Sequence, residues 1–108
     1  MRLTKESFHE VIDEEPSLCA DGLGVGDPAR FPELRAELYE RFDDFACAYD
    51  WLRKQSLTRR FNRTRTSLHL MHDLCPGICH GAFLAAAKYL AIPMRVCKSD
   101  PCSVYLPI

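Results

Sequence analysis

No stretch of the 108-residue chain holds the roughly 20 consecutive apolar residues that a membrane-spanning helix needs. The opening residues, MRLTKESFHE, lack the apolar centre of a secretory signal. A cytoplasmic protein without a membrane partner is therefore expected, with its thiols kept reduced. Glycine is scarce, and three of the five glycines fall in Gly22-x-Gly24-x-Gly26. A phosphate-binding loop would follow a strand and run into Gly-Lys-Ser/Thr, whereas Asp27-Pro28 follows here. The triplet reads as loop. No internal repeat, no low-complexity tract and no Gly-rich nucleophile elbow is present.

Acid is nearly missing from one half. Residues 51–108 carry 2 acidic and 9 basic side chains, against 13 acidic and 5 basic in residues 1–50. The net charge of −1 thus conceals a balance of −8 against +7. Such asymmetry points to a charged partner; the alternative is mutual neutralisation, with acidic helices packed beside the basic segment. The basic residues concentrate in residues 53–65, RKQSLTRRFNRTR, which holds Arg53, Lys54, Arg59, Arg60, Arg63 and Arg65 with Phe61 and Asn62 between them. Arginines interleaved with an aromatic residue are the footprint of a phosphate-gripping surface. Arg53 and Lys54 also complement the C-terminal end of a preceding helix, and a plain solvated loop is the simplest reading of the rest.

What is present predicts an α+β fold, mostly α. Phe8, Val11 and Ile12 form an i, i+3, i+4 stripe on a helix over residues 4–15, capped by Thr4 and stopped by Pro16. Its acidic end, Asp13-Glu14-Glu15, opposes the helix dipole and should fray. Residues 16–30 read as loop. Leu34, Leu38, Phe42, Phe45, Tyr49 and Leu52 step by three and four, which predicts helices over 32–41 and 44–55, the second capped by Asp43 or Asp44. Tyr39, Cys47 and Trp51 widen that stripe toward the core. A short helix follows over 66–75, with Leu68, Leu70, Met71, Leu74 and Cys75 inward and His69, His72 and Asp73 outward. Pro76-Gly77 ends it. Residues 79–92 are apolar nearly all round, with only His80 and Lys88 strongly polar, so this is the central buried helix. Segments 94–98 and 102–106 flank Ser99-Asp100-Pro101 and predict a C-terminal β-hairpin. A single domain over 1–108 is expected, with four to five helices around helix 79–92, in an outline similar to a winged helix-turn-helix.

Three chemical constellations compete with a binding role. His69, His72, Cys75, Cys79 and His80 crowd one break, but their spacings fit a zinc site poorly, and cysteines serve as small core residues. Cys97 and Cys102 bracket a turn at disulfide spacing, against the reducing compartment. Cys79 precedes a helix whose N-terminus would lower a thiol pKa, with His72 or His80 as base and Asp73 to orient it. No oxyanion motif accompanies that pair. No catalytic residue, metal ligand or cofactor is therefore assigned. Helix 79–92 is too apolar to read base edges, so any nucleic-acid contact should be to phosphates.

Asn62-x3-Thr66-Ser67-x2-Leu70-x-His72, followed by Gly81-Ala82-Phe83-Leu84-Ala85-Ala86-Ala87, resembles a pattern in small bacterial proteins of plasmids, prophages and integrative elements. The likeness covers about a third of the chain. Leu68, Met71 and His80 replace the Tyr, Lys and Asn of that pattern, so the likeness implies a shared fold and a mobile-element origin and says little about activity. The expected function is non-enzymatic binding to a nucleic acid or nucleoprotein complex, as a regulator or inhibitor. The basic residues are the first candidates. Glu33, Glu37, Glu40 and Asp44 are the alternative, an acidic face mimicking nucleic acid in a basic protein groove, as some anti-CRISPR inhibitors do. A small Cys/His-dependent enzyme or a zinc-stabilised module is the remaining alternative.

Overall fold

The computed structural model describes residues 3–24, 28–62, 65–74 and 76–108, with backbone only for 74 and 100–102. The first helix, α1 (Lys5–Glu14), begins where Thr4 Oγ1 accepts the Ser7 amide at 3.1 Å. It buries Phe8, Val11 and Ile12. At its acidic end, Arg35 reaches across from the next helix. The Arg35 guanidinium donates to the carbonyls of Ile12, Glu15, Pro16 and Leu18 at 2.8–3.3 Å. A cation on the carbonyl end of a helix satisfies its orphan acceptors and its dipole together.

The predicted loop 16–30 contains a small hairpin, β1 (Leu18–Cys19) against β2 (Gly22–Leu23), and a turn of 3₁₀ helix over Pro28–Arg30. Two-residue strands are too short to carry a period-2 signal, which is why the segment reads as loop. Then come α2 (Phe31–Tyr39) and α3 (Phe42–Leu52), with Pro32 in the first turn of α2. Tyr39 and Trp51 pack against the core as expected, whereas Cys47 is exposed on the outer face of α3. The second helix also begins two residues earlier than its acidic pair implied, and no side chain caps it.

Next are α4 (Ser67–Leu74), α5 (His80–Tyr89) and the hairpin of β3 (Arg95–Cys97) with β4 (Asp100–Tyr105). In register, Arg95 faces Tyr105 and Val96 faces Val104, and a bulge then pairs Cys97 with Asp100. The centre of the molecule is α5, buried from His80 to Ala87. Four alanines, Ala82 and Ala85 to Ala87, let α1, α3 and α4 approach its backbone closely. Phe8 and Phe45 stack at 4.5 Å between centroids beside it, and Trp51 meets Phe83 at 6.3 Å. Phe83 is fully buried, and truncating such a ring to Ala costs about 3–5 kcal/mol. At Gly81 the small hairpin touches the helix: a Cβ there would overlap the Cys19 carbonyl, and the Gly81 amide donates to Ala20 O at 3.1 Å. The helix stops before Pro93, in a Schellman turn. Ala91 adopts φ 58°, its amide bonds Lys88 O at 2.9 Å, and the Ile92 amide bonds Ala87 O at 3.0 Å.

The α+β, mostly helical architecture with its C-terminal hairpin is as the sequence implied. The winged-helix outline holds only in element order. With its first eight residues buried, α5 is a core post with no free face for a groove.

Candidate nucleic-acid interface

The loop after α3 is rich in side chains that compete with regular structure, and it is held open by the C-terminal tail. The Thr58 amide donates to Pro107 O at 2.6 Å and the Asn62 amide to Leu106 O at 2.9 Å. Within the loop, Thr58 Oγ1 donates to Arg60 O at 2.6 Å, and Asn62 Oδ1 accepts the Arg65 amide at 3.1 Å. This pinning lays the loop beside the β3–β4 hairpin. Between them opens a cleft of about 670 Å³ lined by Arg59, Arg60, Phe61 and Arg95. The Arg95 guanidinium lies 5.1 Å from the Phe61 ring centroid, a cation–π contact.

A second cleft, of about 410 Å³, also borders Arg95 and is lined by Arg95, Val96, Lys98, Ser99 and Tyr105. Arg95 is thus a shared wall. Among the described residues no acidic side chain lines either cleft. Arg59, Arg60, Arg95 and Lys98 make no ion pair with a described residue. Cations gathered without a counter-charge among the described residues raise the local anion concentration, more so in a concave surface that focuses the field.

The other basic candidates differ. Arg53 and Lys54 both bind Asp50, at 2.9 and 3.3 Å, and these hydrogen bonds hold the Asp50 carboxyl below the ordinary carboxylate range. Arg65 is paired with Asp73. Arg63 lies outside the described residues. Of the residues lining the clefts, the sequence reading named Arg59 and Arg60 as candidates but not Arg95 and Lys98, which come from the hairpin. Their signal was faint: two cations flanking a turn, 35 residues or more downstream of the loop they join.

The acidic candidates are scattered in role. Glu33 and Glu40 are exposed, without an ion pair to a described residue. Glu37 binds Arg41 at 2.7 Å. Asp44 lies 4.0 Å from Arg41 and accepts the Cys79 amide at 3.0 Å, so it caps α5 rather than α3. No family model, curated protein or solved structure matches the chain.

The cysteines and histidines do not converge. His69 folds back on Thr66 at the start of α4, and His72 is exposed. Among the described residues no three His, Cys, Asp or Glu side chains gather as metal ligands; Cys75 lies outside them. The Cys97 thiol lies beside the Ser99 and Tyr105 hydroxyls, and the side chain of Cys102 lies outside those described. Burial pushes the Cys79 thiol up to about 11, overriding the helix N-terminus that would lower it. His80, read from the sequence as part of a polar strip, is buried and bonded to Ser67 Oγ at 2.7 Å. Its Nδ1 donates to Asp21 O at 3.1 Å, while Ser67 Oγ accepts the Val104 amide at 3.0 Å. The chain Val104–Ser67–His80–Asp21 has the look of a Ser–His pair. Ser67 is 0% exposed, so no substrate reaches it, and the chain acts as a polar tie between β4, α4, α5 and the β1–β2 turn. Only the geometry of the fold reveals this tie; its residues are 13 to 59 positions apart in sequence.

Proposed function

We propose that the chain is a non-enzymatic nucleic-acid-binding protein, a regulator or inhibitor of phage or mobile-element type that acts on a nucleic acid or nucleoprotein complex in the cytoplasm. The observation that carries this reading is the pair of clefts around Arg95, where Arg59, Arg60, Arg95 and Lys98 present cations without an ion pair to a described residue beside Phe61 and Tyr105. Phosphate contacts dominate the affinity of such surfaces. The resemblance over residues 62–87 supports the mobile-element origin.

The mimic reading has less support. Two of its four acids, Glu37 and Asp44, are engaged by Arg41, and Asp44 also holds the Cys79 amide. An enzymatic reading has less still, with the Cys79 thiol protonated at neutral pH and Ser67 sealed in the core. The test is binding of labelled DNA and RNA, as single strands and duplexes, at low salt. The wild-type chain is expected to bind, and the Arg59→Ala/Arg60→Ala/Arg95→Ala variant to lose most of that affinity while keeping its melting temperature. Absence of binding at low salt, or full binding by the triple variant, would overturn the proposal.

A further inference from the structure

We infer that the two clefts around Arg95 form a site for single-stranded nucleic acid, in which bases stack as well as phosphates bind; this rests on the nucleic-acid reading above and deepens it. A duplex hides the faces of its bases and offers a protein phosphates and groove edges. Reading it from a groove calls for a projecting element. Here α5 is buried from His80 to Ala87, and the cations line concavities between a loop and a hairpin. The clefts, about 670 and 410 Å³, fall in the size range of small-molecule sites.

Their linings match what a single strand exposes. Each cleft combines cations with one aromatic ring, Phe61 in the first and Tyr105 in the second. Single strands are held by this combination of positive groove and stacking platform. Phe61 already carries the planar Arg95 guanidinium at 5.1 Å. Guanidinium planes are themselves surfaces on which bases stack, so Phe61 and Arg95 make a two-layer platform at the boundary of the clefts. Val96 in the second cleft is 52% exposed. An apolar side chain left open among cations contributes nothing to a phosphate but offers contact to a base. Because Arg95 borders both clefts, consecutive nucleotides are expected to occupy them in turn.

The test compares a fluorescein-labelled single-stranded DNA 20-mer, the RNA of the same sequence, and the corresponding DNA duplex, titrated with the full chain by anisotropy. The single strands are expected to bind at least tenfold more tightly than the duplex. Phe61→Ala should weaken single-strand binding about tenfold or more and leave duplex binding unchanged. Phe61→Trp should retain the affinity, and its fluorescence should be quenched on adding the single strand, beyond any change seen from Trp51 in the wild type. This second variant keeps the ring and so reads stacking even where Phe61→Ala fails to fold. Equal affinity for duplex and single strand, or no added quenching in Phe61→Trp, overturns the stacking site while leaving the nucleic-acid reading intact. No binding to any of the three overturns both.

Discussion

Single residues in this chain do work that their types do not announce. Ala91 holds a left-handed conformation, φ 58°, at the end of α5, where glycine is the usual occupant because it has no Cβ to clash. Ala91→Gly is expected to raise stability by about 1 kcal/mol, seen as a higher thermal midpoint; an unchanged or lower midpoint would contradict this account of the turn. Cys79 carries a pH signature. Burial raises its thiol from 9.0 to about 11, so the folded chain keeps a proton that the unfolded chain releases in that window. Its contribution is fully present below pH 9 and is lost as pH rises toward 11. Urea midpoints measured across that range should fall with pH in the wild type and fall less steeply in Cys79→Ala. Parallel profiles would show that the thiol is not linked to folding.

At the scale of elements, the fold turns on how closely neighbours approach α5. The alanine run was legible in the sequence, because a helix apolar on every side has to be buried. The approach of the β1–β2 hairpin was not, since strands of two residues carry no periodicity. Gly81 is the point where the two meet. Gly81→Ala is predicted to destabilise the fold by about 3 kcal/mol, because backbone rather than a flexible side chain occupies the space. A denaturation midpoint within error of wild type would refute that packing. Asp44 is the complementary case. Its position beside Asp43 suited a cap on its own helix, yet it caps α5, which lies 35 residues further on. Asp44→Ala should therefore cost about 1 kcal/mol of stability, measurable by denaturant unfolding, whatever it does to a partner. An unchanged unfolding free energy would remove the cap.

For the whole molecule, the decisive matter is where the two charge excesses go. Three of the six ion pairs among the described residues form within one charge-biased half: Arg41 with Glu37 and Asp44, Arg65 with Asp73. Lys88 with Glu15, and Arg53 and Lys54 with Asp50 at the boundary, are the links across it among the described residues. These three cross between the halves, and Arg59, Arg60, Arg95 and Lys98 make no ion pair with a described residue. The sequence announced a basic stretch but could not say which of its cations were spoken for. Asp50 lies one turn from Arg53 and Lys54, while Arg95 joins Arg59 and Arg60 only because Thr58 and Asn62 pin their loop to the C-terminal tail. That difference gives the most direct test: the affinity of the Arg95→Ala and Arg53→Ala chains for a labelled single-stranded 20-mer, measured across a salt series. Arg95→Ala should bind more weakly and lose about 0.7 from the slope of log affinity against log salt, while Arg53→Ala stays close to wild type. Equal losses in the two variants, or an affinity that does not change with salt, would contradict a binding surface built around Arg95.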